Sequence, residues 1–274
     1  MSITPVIKWA GGKRQLIPTI LPMMPTTYGT YFEPFFGGGA LFCELQPKVA
    51  VINDFNKQLI GMYRCIEQRP DEVCKAVENL QGHYNSLPAI ADKDAYYKCC
   101  RDLFNKEMQN GRDSVLAASL LIFLNKAGFN GLYRVNAKGL LNVPSAHRQT
   151  VNAFDSDNIK EWSKALKKAT IMCGDFEIAC NAAQAGDFVF FDSPYYDTFD
   201  TYQAGGFSEA DHKRLFALFD RLAGQGVYCM MTNNSCDFIK NLYSGYSIKE
   251  VDVKRMINCH ANARTGKEVI VTSY

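Results

Sequence analysis

Residues 30–54 constrain the fold more than any other segment. Residues 30–33 form a short strand-like run, and Pro34-Phe35-Phe36-Gly37-Gly38-Gly39 follows directly. Residues 39–45 then read as a helix, and residues 49–52 as a second strand that ends at Asn53-Asp54. Strand, glycine turn, helix, strand and acidic tip make half of a parallel α/β nucleotide-binding unit. Three glycines permit a tight turn and close approach of backbone to a ligand, and the helix after them turns its first N–H groups the same way. A carboxylate at position 54 can accept from two ribose hydroxyls. The plainer alternatives are a ligand-free tight turn and a helix cap at Asp54.

The pattern resumes after a long interruption. Residues 55–66 and then 70–83, 93–108 and 114–125 carry helical spacing. Residues 131–143 fit a β-hairpin with its turn at 136–139. Strands are expected at 169–173, 187–191, 226–232 and 268–272, and helices at 156–167, 209–223 and 235–243. Residues 13–24 carry a helix-like pattern limited by Pro18 and Pro22. The expected organisation is an α/β domain from residues 1–55 and 151–274, with an insert of helices and hairpin at 56–150.

Composition excludes little. The 274 residues carry 30 basic and 28 acidic side chains, a net charge of +2, which leaves nucleic-acid binding to a local basic face. Ten cysteines include no CxxC pair, and reduced, buried thiols in a cytoplasmic setting are expected. Lys8, Lys13 and Arg14 interrupt the early apolar residues, so no signal peptide is expected. The longest apolar run, residues 115–124, is about half of the ~20 residues that a membrane span needs.

Asp192-Ser193-Pro194-Tyr195 leaves the apolar run 187–191 and brings together a carboxylate, backbone carbonyls and an aromatic ring. That set suits a flat ligand with an exocyclic amine. Such an amine is a poor nucleophile because its lone pair is delocalised. Acceptors on its N–H groups favour a more tetrahedral nitrogen and strengthen as charge develops. Asp192 and the Ser193 carbonyl are the candidate acceptors, Tyr195 or Tyr196 the stacking ring, and Pro194 the stiffener. An ordinary surface turn has the same composition. The histidines at 83, 147, 212 and 260 form no HExxH or HxE…PCxxC pattern, so a zinc deaminase is not expected. Cys173-Gly174-Asp175-Phe176 ends another strand, where Asp175 can read an adenine amine and Phe176 can cover its ring.

Between Ser114 and Phe154 there is no Asp or Glu. Lys126, Arg134, Lys138 and Arg148 lie there with Asn125, Asn130, Asn136 and Asn142, and with Phe129, Leu132 and Tyr133. Arginine can bind guanine O6/N7, asparagine can bind adenine N6/N7, and an aromatic wedge can open a base stack. Lys138 and Arg148 suit the phosphate backbone. A polar hairpin with its aromatics packed on the parent domain is the alternative.

Taken in order, Lys8-Trp9-Ala10-Gly11-Gly12-Lys13, residues 32–40, Asn53-Asp54, residues 129–134 with Asn142-Val143-Pro144, residues 173–176 and residues 192–195 resemble the Dam-like DNA adenine N6-methyltransferases. The resemblance spans about residues 8–200, and residues 266–272 look like the family's terminal strand. It implies a Rossmann-like methyltransferase sheet with an inserted recognition domain, S-adenosylmethionine as methyl donor, and a flipped adenine in duplex DNA, within GATC, as target. It places Trp9, Ala10, Lys13, Pro34, Phe35, Gly37, Gly38, Gly39, Asp54, Asp175 and Phe176 around the cofactor. It places Lys8, Phe129, Asn130, Leu132, Arg134 and Pro144 against DNA, with Arg134 reading guanine and Phe129 entering the stack. Lys138, suited to the phosphate backbone, joins them. Asp192, Ser193, Pro194 and Tyr195 match the catalytic tetrad. A bacterial or phage-encoded monomer without metal or membrane is expected.

Two departures stand out. The family's usual tetrad is Asp-Pro-Pro-Tyr, whereas Ser193 stands second here, which predicts a looser loop and slower turnover. Ser145-Ala146-His147-Arg148 replaces the glycine-containing basic run expected after Pro144. Three other readings stay open: a catalytically impaired DNA-binding protein of the same fold, a methyltransferase of RNA or free bases, and a ligand-free α/β protein.

Overall fold

The computed structural model describes residues 3–9, 11–111, 113–196, 206–254 and 265–274. The described strands are Tyr31–Glu33 (β1), Ala50–Asp54 (β2), Ala169–Cys173 (β3), Phe188–Phe191 (β4), Tyr228–Asn234 (β5), Ser247–Lys254 (β6) and Thr265–Thr272 (β7). Contact density groups the chain into two interleaved units. One comprises Met1–Gly12, Gly37–Gln46 and Asn56–Cys173, the other Lys13–Phe36, Pro47–Phe55 and Gly174–Tyr274.

The second unit is built on a run of six adjacent strands in the order β2-β1-β4-β5-β7-β6. β1 pairs in parallel with β2 and β4, and β4 with β5. β7 runs antiparallel between β5 and β6. Val189 and Phe191 of β4, Cys229 and Met231 of β5, and Val269 and Val271 of β7 pack with Leu215, Leu218, Phe219 and Leu222 of helix Glu209–Gly224. Phe188 and Phe190 on the opposite face are as fully buried. Burial on both faces is why β4 reads as an unbroken apolar run rather than as an alternation. A capping box between Ser208 and Asp211 starts helix Glu209–Gly224. Pro18 and Pro22 break residues 13–24 into a short helix, Ile17–Ile20, between two 3-10 turns. Strand β6 was not expected from the sequence.

The first unit is mainly helical: Lys57–Gln68, Pro70–Ser86, Ile90–Asn110, Val115–Ala127 and Ser156–Leu166, with β3 and the short helix Ala40–Leu45. Asn56, Ser114 and Asp155 cap their helices through their side chains. Asp54 is therefore not the cap of the helix that follows it. Val115–Ala127 is buried from Ala118 to Asn125, as a stretch apolar all round must be.

Residues 131–143 do fold back on themselves, but without two strands. The turn is as expected: Asn136 Oδ1 accepts from the Lys138 and Leu140 N–H groups, and its carbonyl accepts from Gly139. Its arms make one isolated bridge, Val135 to Leu141. Side chains of helix Ile90–Asn110 supply partners that a ladder would otherwise provide. Asn105 bonds both the N–H and the carbonyl of Leu141, and Tyr97 and Arg101 both donate to the Val143 carbonyl.

Candidate active site

Parallel pairing of β1, β2, β4 and β5 brings their C-terminal ends to one edge of the sheet. Ligands bind at that edge in open α/β sheets. Phe191 pairs with Met231, so the next residues, Asp192 and Thr232, are level. Thr232 Oγ1 donates to Asp192 Oδ1 at 2.9 Å, and Lys13 Nζ lies 2.5 Å from the same oxygen. Lys13 is 5% exposed and also stands 4.8 Å over the Tyr195 ring. Among the described residues, no hydrogen bond reaches Asp192 Oδ2. Burial raises the Asp192 pKa, while Lys13 and Thr232 oppose the rise. One oxygen is thus anchored and the other remains an acceptor beside an aromatic face.

The rest of the loop is tied to β5. Asn233 Nδ2 donates to Ser193 Oγ and the Pro194 carbonyl, and Asn233 Oδ1 accepts from the Tyr196 N–H. Tyr196 is stacked on Phe238 with ring centroids 4.2 Å apart. That pairing gives Tyr196 a packing role and leaves Tyr195 as the candidate stacking ring.

A second cluster joins three of the segments expected around a cofactor. The Phe36 N–H donates to the Asn53 carbonyl, and buried Asn53 Nδ2 donates to the Pro34 and Gly174 carbonyls. The Gly174 N–H donates to the Asp54 carbonyl. Phe35 and Phe176 stack with centroids 5.2 Å apart, and Phe207 packs against both. Asp175 caps the short helix Phe176–Ala179 through Oδ1, and its Oδ2 pairs with Arg214 at 2.9 Å. Arg214 also bonds Glu177 and Asp211 and lies 5.0 Å over the Phe176 ring. A carboxylate at the tip of β2, stacked rings and an acceptor beside them fit a nucleoside with a ribose diol.

Other expected residues meet within the helical unit. A Cβ on Gly37, whose φ is +49°, would lie 2.8 Å from the Trp9 ring, and one on Gly38 would lie 3.1 Å from Trp9 Cβ. Both glycines therefore let the backbone lie against Trp9. Gly39, also with positive φ, precedes helix Ala40–Leu45. Ala10 lies outside the described residues.

Asn125 exchanges two hydrogen bonds with the Lys8 backbone and donates to the Gly131 carbonyl. This places Lys8 beside the turn that carries Phe129 and Asn130. Phe129 is 51% exposed, and its N–H donates to the Pro144 carbonyl. Arg134, Lys138 and Pro144 are exposed, and Leu132 is half-buried. The Arg134 guanidinium donates to Asn142 Oδ1 at 2.9 Å. Two expectations need correcting. Tyr133 is stacked on Trp9 and buried, and Asn125 is a buried strut, so neither offers surface to a ligand. Thr232, Asn233 and Arg214 were missed, and Asn53 was marked beside Asp54 without a role. Most of their side-chain partners lie between 19 and 121 positions away in sequence, and nothing local marks those pairings.

Among the described residues, no group of three or more His, Cys, Asp or Glu side chains is placed to hold a metal ion. None of the described helices is long and apolar enough to cross a membrane.

Residues 9–257 match the family model described as D12 class N6 adenine-specific DNA methyltransferase. The chain is similar over its full length to the type II methyltransferase M1.LlaDCHI of Lactococcus lactis subsp. cremoris, with 38% identity over 283 residues and 96% of that protein covered. It is equally similar to the type II methyltransferase M.MjaIII of Methanocaldococcus jannaschii, with 38% identity over 291 residues and both chains covered completely. The DNA adenine methylase of Escherichia coli strain K12 is 24% identical over 273 residues, spanning 98% of this chain and 94% of that one.

Proposed function

The chain belongs to the D12 class N6 adenine-specific DNA methyltransferases, enzymes that use S-adenosylmethionine, and from that premise we propose that it methylates an adenine flipped out of duplex DNA within GATC. The mixed α/β sheet with its helical insert is the Rossmann-like methyltransferase fold. The observation that carries the proposal is the Asp192 carboxylate, anchored through Oδ1 by Lys13 and Thr232 with Oδ2 left as an acceptor.

Asp192 Oδ2 and the Ser193 carbonyl accept the two N–H groups of the target amine. Both bonds strengthen as the nitrogen gains positive charge, so they stabilise the transition state more than the bound ground state. Tyr195 stacks on the extruded base, and Lys13 fixes the carboxylate and ring together. The bound S-adenosylmethionine supplies an electrophilic methyl carbon. Asp54 holds its ribose hydroxyls, the stacked Phe35 and Phe176 pack against one side of its adenine, and Asp175 reads the adenine amine after sharing or releasing Arg214. Trp9, Ala10, Lys13, Pro34 and Gly37–Gly39 line the remainder, and Lys13 also holds the catalytic loop.

Residues 56–150 act as the recognition segment within a catalytic domain of residues 1–55 and 151–274. Lys8, Asn130, Leu132 and Pro144 contact the target bases, Arg134 reads a guanine, Phe129 fills the stack beside the flipped base, and Lys138 holds the backbone. The protein works as a cytoplasmic monomer of a bacterium or its phage. The test of target choice is methyl transfer to a duplex containing one GATC and to duplexes with each base substituted in turn. Transfer to the intact site alone is expected, and equal transfer to all would refute the GATC assignment.

A further inference from the structure

The loop that leaves β4 is held from the neighbouring strand by uncharged side chains, and Asn233 makes the most bonds to it. Asn233 is fully buried, and Ser193 is 2% exposed. Asn233 Nδ2 donates to Ser193 Oγ at 3.1 Å and to the Pro194 carbonyl at 3.3 Å, while Oδ1 accepts from the Tyr196 N–H at 3.1 Å. Asn234 Nδ2 donates to the Tyr196 carbonyl at 3.0 Å. Residues 193, 194 and 196 are thereby tied to β5 on either side of Tyr195.

We infer that Asn233 is a positioning residue for methyl transfer. Paired with Ser193, it fixes the shape of residues 192–196, and so the aim of the Asp192 carboxylate, the Ser193 carbonyl and the Tyr195 ring. The inference rests on the proposed reaction and deepens it. A serine backbone keeps a rotatable φ, which proline would lock. The hydroxyl instead gives the second Nδ2 hydrogen of Asn233 an acceptor, so the amide is satisfied on both donors only with Ser193 present. An amide is suited to this place because it carries no charge. A lysine or aspartate at 233 would bias the titration of Asp192, two residues from Pro194. The looser loop expected from the sequence is thus restrained by a side-chain bond across to β5.

The test uses the full chain with S-adenosylmethionine and a GATC duplex. Wild type, Ser193→Ala, Ser193→Pro, Asn233→Ala and the Ser193→Pro/Asn233→Ala double variant are compared. Three quantities are read: kcat, KM for S-adenosylmethionine, and hydrogen exchange at the Tyr196 amide. Ser193→Ala is expected to lower kcat about five- to tenfold with KM within about twofold, and to speed Tyr196 exchange. Ser193→Pro regains most of both losses, because the ring restores stiffness without the hydroxyl. Asn233→Ala costs less kcat in the proline background than in the wild-type background, which is the coupling a double-mutant cycle measures. Ser193→Ala matching wild type in kcat and exchange would overturn the inference, as would a proline variant as impaired as the alanine one. Should Asn233→Ala fail to fold, the two Ser193 variants still decide. A wild-type protein that methylates no adenine would overturn the proposed reaction instead. Tyr196 exchange would then still report on the Ser193–Asn233 tie without turnover.

Discussion

Asp192 holds a charge that its surroundings both resist and support. Burial raises its pKa, and Lys13 and Thr232 pull it back. Only the ionised carboxylate offers full acceptor strength to an amine, so kcat should fall as pH drops through a pKa above the ordinary carboxylate value. Lys13→Met removes the opposing cation and should move that acidic limb to higher pH; an unmoved limb in the pH–rate profile would exclude the role given to Lys13. Arg134 is the proposed guanine reader. Its guanidinium is oriented by Asn142 and exposed. Arg134→Ala should weaken discrimination at one guanine by ~1–3 kcal/mol while leaving the other positions intact. Unchanged ratios of kcat/KM over substituted sites would show that another residue reads that base.

The element that matters most is β4 with its loop, and the wall behind it is aromatic. His212 is buried there, with the Phe207, Tyr196 and Phe238 rings 4.7, 5.6 and 6.2 Å away. Burial pushes its imidazole from 6.5 down to about 4. Between those values the unfolded chain binds a proton that the folded chain refuses, so stability falls as pH drops through that window, by up to ~3 kcal/mol. His212→Phe should flatten the decline in urea midpoint between pH 6.5 and 4.5, and an unchanged slope would place the titrating group elsewhere. β4 and its loop were legible in the sequence because an apolar strand buried on both faces ends abruptly in Asp-Ser-Pro-Tyr. β6 was not legible. It is the edge strand of the run, and Lys249, Glu250 and Asp252 interrupt its apolar positions, as charges commonly do on strand edges. The hairpin at 131–143 was half legible. Asn136 and Gly139 announced the turn, but Tyr97, Arg101 and Asn105, which replace the ladder, sit on a helix far away in sequence. The partners of the Asn53 and Asn233 amides were invisible for the same reason.

Across the whole molecule the net charge is only +2, so attraction to DNA must come from local placement. In the proposed function the acid-free stretch between Ser114 and Phe154 supplies it, with Lys126, Arg134, Lys138 and Arg148 and no carboxylate of its own. Lys138→Ala should weaken duplex binding about equally for all sequences and lower the salt dependence by roughly one counterion. A sequence-dependent loss would mean that Lys138 reads bases. The central claim joins this basic segment to the carboxylate at 192 as one adenine methyltransferase. Its most direct test is incubation of wild type and Asp192→Ala with S-adenosylmethionine labelled in the methyl group and a GATC duplex, followed by digestion to nucleosides and a binding titration with S-adenosylmethionine. Wild type should place the label in N6-methyladenine alone, and Asp192→Ala should bind the donor yet transfer nothing. Label in cytosine, or full transfer by Asp192→Ala, would contradict the account.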